Sequence, residues 1–253
     1  MIHVITYGDD RFLKSRERAV KSIENFVDST KIYTDKDLEK FKIKYPKILY
    51  DNARGGGFWL YKSLFLKETF SNCNEGDMII WMDSGTDFIG NKDDITTLLN
   101  IATNNGGFCL FKQVNVNKVW TKRDCFVYMG CDSEDYYNAL QCDAAIQVYV
   151  KNDRTNQFID ELLKYCEDYR IITDSPNECG LPNLMGFKDH RHDQSILTNL
   201  CVKHKISRFK QPTEYGYGYI DWDGDSEMIN LTDYERQESH KYKVIFNHHR
   251  ERR

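Results

Sequence analysis

The chain has 253 residues, 40% of them apolar, with 35 basic and 39 acidic side chains and a formal net charge of -4. This length suits one sizeable domain with a full core, and the near balance of charge excludes a partner chosen by bulk electrostatics, such as nucleic acid or an anionic membrane surface. No apolar run approaches the roughly 18 residues of a membrane span and the N-terminus follows no signal-peptide plan, so a soluble, cytoplasmic protein is expected.

The first predicted element is a strand over "IHVITYG", followed by a helix in which Phe12, Leu13, Ala19, Val20, Ile23 and Phe26 recur at helical spacing. "TKIYT" reads as a second strand. "RGGG" then reads as a flexible connector into a helix that places Trp59, Leu60, Leu64, Phe65 and Phe70 on one stripe. "DMIIWM" is a third strand, apolar enough to be buried on both faces, and it runs straight into Asp83, Ser84, Gly85, Thr86 and Asp87. "GGFCLFK" and "AAIQVYVKN" continue as strands, and "TNQFIDELLKYCED" and "HDQSILTNLCVKHK" as helices. The proline-bearing "RIITDSPNECGLPNLMGFKDHR" lies between those helices as a long surface loop, and "KYKVIFNHHRERR" adds a short last strand.

Strands alternating with helices imply an α/β fold: a mainly parallel sheet with helices on both faces, whose ligands gather beyond the carboxyl ends of the strands. Thr6, Tyr7, Gly8 and Asp83 fall on that rim. The eight cysteines (Cys73, Cys109, Cys125, Cys131, Cys142, Cys166, Cys179, Cys201) contain no CxxC pair, which favours reduced thiols over a zinc site or a disulfide framework.

Four features carry candidate chemistry, each beside an ordinary structural use. Asp83 can hold a divalent cation against a diphosphate, or it can cap the turn that follows. Arg54 and Lys62 flank three glycines and can reach phosphate oxygens, although the spacing is not that of a P-loop. Trp59 is expected in the core. Asp193, at the start of a helix within "DHRHD", can act as a general base for a hydroxyl or can cap the helix. His248 and His249, beside Arg250, Arg252 and Arg253, can bind a metal and an anionic leaving group or can form an exposed tail.

Taken in order, "IHVITYGD", the Arg16-bearing helix, "RGGGFWLYKSLFL", "MIIWMDSGTDF", "QCDAAIQVYVKND" and "DHRHDQSIL" resemble the GT-A nucleotide-sugar-dependent glycosyltransferases over nearly the whole chain. The likeness is strongest to small enzymes of bacterial polysaccharide clusters and large DNA viruses, with D-[AS]-G and HDQS motifs. It implies a Rossmann-like GT-A domain over residues 1–253, with a donor-binding part at about 1–110 and an acceptor-binding part at about 111–253. It also implies transfer of a sugar from a nucleoside diphosphate donor to a hydroxyl of a glycan or glycoconjugate, with Mn²⁺ or Mg²⁺ as cofactor. Thr6, Tyr7 and Arg16 would border the nucleotide, Arg54 and Lys62 would approach it, and Asp83, Ser84 and Gly85 would stand at the DxD motif. Asp143 and Ala144 would touch the donor sugar, His192, Asp193 and Gln194 would face donor and acceptor, and His248 would join Asp83 on the metal. Here the second DxD acid is missing, so a metal-free enzyme is also compatible. The alternatives are a nucleotidyltransferase or nucleotide-sugar hydrolase, and a non-catalytic carbohydrate-binding module that uses Trp59, Trp81, Trp120 and Trp222.

Overall fold

A computed structural model describes residues 1–213 and 243–249. Its strands are β1 (Ile2–Tyr7), β2 (Ser29–Tyr33), β3 (Met78–Met82), β4 (Thr86–Phe88), β5 (Phe108–Val116), β6 (Leu140–Val150), β7 (Arg208–Lys210) and β8 (Phe246–His248). Six of them form one sheet in the order β2-β1-β3-β6-β5-β7, while β4 and β8 pair in a separate ribbon. β1 runs parallel to β2 and β3, and β5 to β7, whereas β6 is antiparallel to both of its neighbours. The parallel half therefore ends at β3, whose carboxyl end carries Asp83.

Every residue of β3 is buried, and its side chains alternate between two cores. Ile79 and Trp81 enter one core with Phe65 and Leu66 of the Leu60–Asn72 helix, Ile159 of the Asp153–Cys166 helix and Ile196 of the His192–Lys203 helix. Met78, Ile80 and Met82 enter the other, with Ala19 and Ile23 of the Leu13–Ile23 helix and Ile95 and Leu98 of the Lys92–Asn104 helix. Burial of each such side chain contributes roughly 1.5–3 kcal/mol, so an unbroken apolar strand is stable only where helices cover both faces. Among the described residues no helix is long and apolar enough to cross a membrane.

"RGGG" is an ordered left-handed turn rather than a loose connector: φ is positive at Gly55, Gly56, Gly57, Phe58 and Trp59 in succession. At Gly57 a Cβ would lie 2.3 Å from Leu49 Cδ2, and at Gly55 one would lie 2.4 Å from the Trp59 ring. Glycine is needed there for its backbone freedom and for its missing side chain. Phe58 and Trp59 adopt the same conformation at a cost of roughly 1–2 kcal/mol each. Phe58 offsets this by full burial, while Trp59 is only half-buried and packs against the edge of the core.

The long loop is tied down from within. Asp124, fully buried, accepts from the amides of Glu178 and Cys179, and Lys122 donates to the Ser175 carbonyl at 2.7 Å. These anchors fix the approach of the segment that carries Asp174, Asp189 and the helix beginning at His192.

Candidate active site

Period-two alternation sends Trp81 and Asp83 to the same face of the sheet, and the indole Nε1 donates to Asp83 Oδ1 at 2.7 Å. The Asp83 amide extends the ladder one residue past β3 by donating to the Ala145 carbonyl at 2.8 Å. On that face the Leu60–Asn72 helix delivers Lys62, only 4% exposed. Its Nζ lies 3.0 Å from Asp83 Oδ1, 3.2 Å from Asp83 Oδ2, 3.0 Å from the Ala144 carbonyl and 3.4 Å from Asp193 Oδ2. Two carboxylates share one ammonium, which leaves the cluster one negative charge in excess.

Titration follows this geometry. Burial alone would lower the Lys62 pKa, but Asp193 and Asp83 outweigh it and hold the ammonium above its ordinary value. Asp193 is pushed up to about 6, first by burial and then by Asp83, with Lys62 opposing. The cap position itself falls to Arg191, which makes no side-chain cap bond, while the Asp193 carboxylate faces Lys62. Asp83 likewise spends its side chain on Lys62 and Trp81 rather than on the turn, which its backbone carbonyl closes by accepting from the Thr86 amide.

Asp143 is buried on β6 and accepts from the Ala145 amide at 2.8 Å and from Gln211 Nε2 at 2.7 Å. Burial raises its pKa, His248 and Gln211 oppose the rise, and Asp83 adds to it, so Asp143 lies within electrostatic reach of both Asp83 and His248. Gln194 donates to Gln141 Oε1 at 2.6 Å. His192, with φ of 50°, shares a hydrogen bond between Nδ1 and the Ile172 carbonyl at 2.8 Å and stacks on Trp59, with ring centroids 5.2 Å apart. Burial lowers its pKa, which keeps the ring neutral at pH 7.

At the end of β1, the buried Thr6 hydroxyl has no hydrogen-bond partner. Tyr7 packs against Tyr61 at 4.1 Å between ring centroids and donates to Asp35 Oδ1 at 2.5 Å. Arg16 is buried and donates to the Gly8 carbonyl. Arg54 is committed to protein partners: it forks onto Asp189 at 3.0 and 2.6 Å and reaches Asp174 at 3.2 Å.

The described residues fit a divalent cation poorly at Asp83. Both carboxylate oxygens already meet Lys62, and Oδ1 also accepts from Trp81. The place of the motif's second acid is taken by Gly85, where a Cβ would come within 3.0 Å of the His249 carbonyl. Asp87 is paired with Arg18, at 2.8 Å from its Nε, and lies 3.4 Å from His249 Nε2. Among the described residues, no group of three metal-ligating side chains includes Asp83 or His248. Ser84 is half-buried beside Asp83. Arg250, Arg252, Arg253 and Trp222 lie outside the described residues. Trp81 is fully buried and offers no face to a sugar.

Sequence reading passed over Trp81 as a support for Asp83, Tyr61 beside Tyr7, Gln141 and Gln211, and the Asp174–Asp189 pair that holds Arg54. Only Trp81 left a usable sign, its i, i+2 spacing from Asp83 on a strand. The others meet their partners across tens of residues.

No protein-family model matches the chain, and no curated protein matches it in sequence. Solved structures resemble it in shape. The bifunctional glycosyltransferase WbbM in its apo form has a TM-score of 0.54 at 13% identity, covering 98% of this chain and 45% of its own. The galactosyltransferase LgtC, in complex with donor and acceptor sugar analogues, has a TM-score of 0.51 at 12% identity over 98% of this chain and 86% of its own. Mouse xyloside xylosyltransferase 1, apo, has a TM-score of 0.50 at 9% identity over 98% and 97%. The chain thus spans less than half the length of WbbM and nearly all of the mouse enzyme. At these identities the likeness is one of architecture, and with the mixed sheet and its two helical layers it establishes that this chain has the GT-A, Rossmann-like α/β fold.

Proposed function

We propose that the protein is a glycosyltransferase of the hexosyltransferase type that moves a sugar from a nucleoside diphosphate donor to a hydroxyl of a glycan or glycoconjugate. The observation that carries this reading is the buried Lys62 ammonium shared by Asp83 and Asp193 at the carboxyl end of β3, where α/β sheets bind ligands. Support from the comparisons is by fold analogy: LgtC bears donor and acceptor sugar analogues on this architecture.

In this reading residues 1 to about 110 hold the donor. Tyr7 and Tyr61 flank the base or ribose, and Thr6 and Arg16 border the nucleotide. Asp143, Ala144 and Gln194 line the donor sugar, and Arg54 orders the loop through Asp174 and Asp189. Lys62 steadies the diphosphate side of the breaking bond and keeps Asp193 ionised. With a pKa near 6, Asp193 is charged at neutral pH and still basic enough to take a proton from an acceptor hydroxyl in an inverting reaction. In a retaining reaction the same charge would stabilise the oxocarbenium-like sugar. His192, neutral and stacked on Trp59, positions the start of that helix. No step is routed through Mn²⁺ or Mg²⁺, because Lys62 already occupies Asp83.

A thermal-shift screen against UDP, GDP, TDP and CMP, each with EDTA or Mn²⁺, tests the reading. Binding to the folded state alone raises the melting temperature by mass action. One nucleoside diphosphate is expected to raise it in EDTA. A shift that requires Mn²⁺ would mean that a cation joins or displaces Lys62 at Asp83, and no shift with any nucleotide would remove the proposal.

A further inference from the structure

At the opposite end of β3 from Asp83 stands a second cluster that the transfer chemistry does not use. His3 on β1, Cys73 just past the Leu60–Asn72 helix and Asp77 just before β3 bring an imidazole nitrogen, a thiol and a carboxylate oxygen within 4.8 Å of one another. Asp77 is buried and the other two are half-buried, so the cluster is shielded but reachable by a small ion.

The histidine is arranged as a ligand. Its Nδ1 lies 2.7 Å from Ser29 Oγ and its Nε2 lies 3.3 Å from Asp77 Oδ2. With Nδ1–H donating to Ser29, the Nε2 lone pair faces the carboxylate, a pairing that a bound cation completes; in the metal-free chain Nε2–H donates to Asp77 instead. Fixing the ring through its far nitrogen is the usual support for a metal-bound histidine. The other members are held as firmly. Asp77 Oδ2 accepts from the Asn74 amide at 2.7 Å, Asp77 Oδ1 pairs with the Met1 amine at 2.6 Å, and the Cys73 carbonyl accepts from Lys151 Nζ at 2.5 Å.

Ligand chemistry narrows the ion. One nitrogen, one sulfur and one oxygen are a borderline-soft set that suits Zn²⁺ and is wrong for Mg²⁺ or Ca²⁺, which take oxygen. With zinc–ligand bonds of about 2.1 Å, a tetrahedron has edges of about 3.4 Å, and the edge from His3 to Asp77 is 3.3 Å. We propose that His3, Cys73 and Asp77 form a Zn²⁺ site, with water as the fourth ligand, that ties the start of β1, the end of the Leu60–Asn72 helix and the start of β3 together. The lack of any CxxC spacing concealed it, because the three ligands come from separate elements. At about 3.3 Å per residue the site is roughly 20 Å from Asp83, so its role is to staple the sheet, and it stands independently of the transferase reading.

The test uses the full chain, stripped with EDTA and kept reduced with a phosphine. Titration with Co²⁺ is expected to saturate at one equivalent with a sulfur-to-cobalt charge-transfer band, which Zn²⁺ then removes. Zn²⁺ at a hundredfold excess over its Kd should raise the melting temperature by about 5 °C or more. Cys73→Ser should lose the band and His3→Ala should weaken binding at least tenfold, while Cys179→Ser, in the long loop, should keep both. Circular dichroism in EDTA establishes that each variant is folded before it is scored. Absence of the band in the parent chain, or a band that survives Cys73→Ser, would overturn the assignment, whatever the nucleotide screen shows.

Discussion

β3 is bounded by an aspartate at each end, and the two have opposite surroundings. Asp77 is met on both oxygens, and the Met1 ammonium, the Asn74 amide and His3 together hold it down at about 2 despite burial. At the carboxyl end Asp83 and Asp193 share the single Lys62 ammonium, and Asp193 rises to about 6. The same residue type at two ends of one buried strand thus serves stability where, even without a metal, counter-charges match the carboxylate. Where they fall one short, it stores a charge that a ligand or a proton transfer can use.

Lys62→Met attacks this contrast most directly. It leaves two carboxylates without their cation, so a loss of about 3–5 kcal/mol is expected. The melting temperature should fall by roughly 10 °C, and sugar transfer should vanish. Calorimetry and a transfer assay read both, and a variant as stable as the parent would show that the cluster is not held by Lys62.

Asp193→Asn should separate chemistry from stability. Transfer should drop by about 10²–10⁴ with nucleotide binding kept. Folded Asp193 binds its proton more tightly than the unfolded residue, whose pKa is about 4. The native state therefore carries the extra proton between about pH 4 and 6, and stability falls as pH rises through that window. Above it the cost of the buried charge is constant, on the order of 3 kcal/mol. The asparagine variant is expected to melt no lower than the parent at pH 7.5, with any advantage closing as pH is lowered to 4. Parent kcat/KM should rise with pH through an apparent pKa near 6.

Asp77→Asn tests the other end. Because the folded pKa is depressed, the stabilisation is present above about pH 4 and is lost as pH falls towards 2. In the zinc-free chain a loss on the order of 1 kcal/mol at neutral pH is expected, with transfer unchanged. Reduced transfer at full stability would break the division between the two ends. The smallest effect belongs to Trp81→Phe, which removes one hydrogen bond to Asp83. It should cost about 1 kcal/mol and lower kcat severalfold, seen in paired melting and kinetic measurements.

Much of the fold was legible because its signals are local. The run Met78 to Met82 announced a strand buried on both faces, and the periodic "TNQFIDELLKYCED" became the Asp153–Cys166 helix. "RGGG" was legible as glycine but not as a left-handed turn, since that conformation answers to Leu49 and to the Trp59 ring packed against it. Of the candidate residues, the sequence could place Asp83 and Asp193 near element ends but could not choose between caps and partners. That choice depends on Lys62, 21 residues before Asp83 and on another element.

By itself, then, the sequence determined the main strands and helices but not the Asp35–Lys42 and Lys92–Asn104 helices or the short β4 and β7. It also determined the two-sided burial of β3 and the residue types available at its carboxyl rim, because periodicity and hydropathy act over a few neighbouring residues. Tertiary structure alone decided which charges meet: Arg54 with Asp189, Asp87 with Arg18, and Lys62 with Asp83 and Asp193. Electrostatic pairing depends on distance in space and on burial, and neither is written in the spacing of residues along a chain.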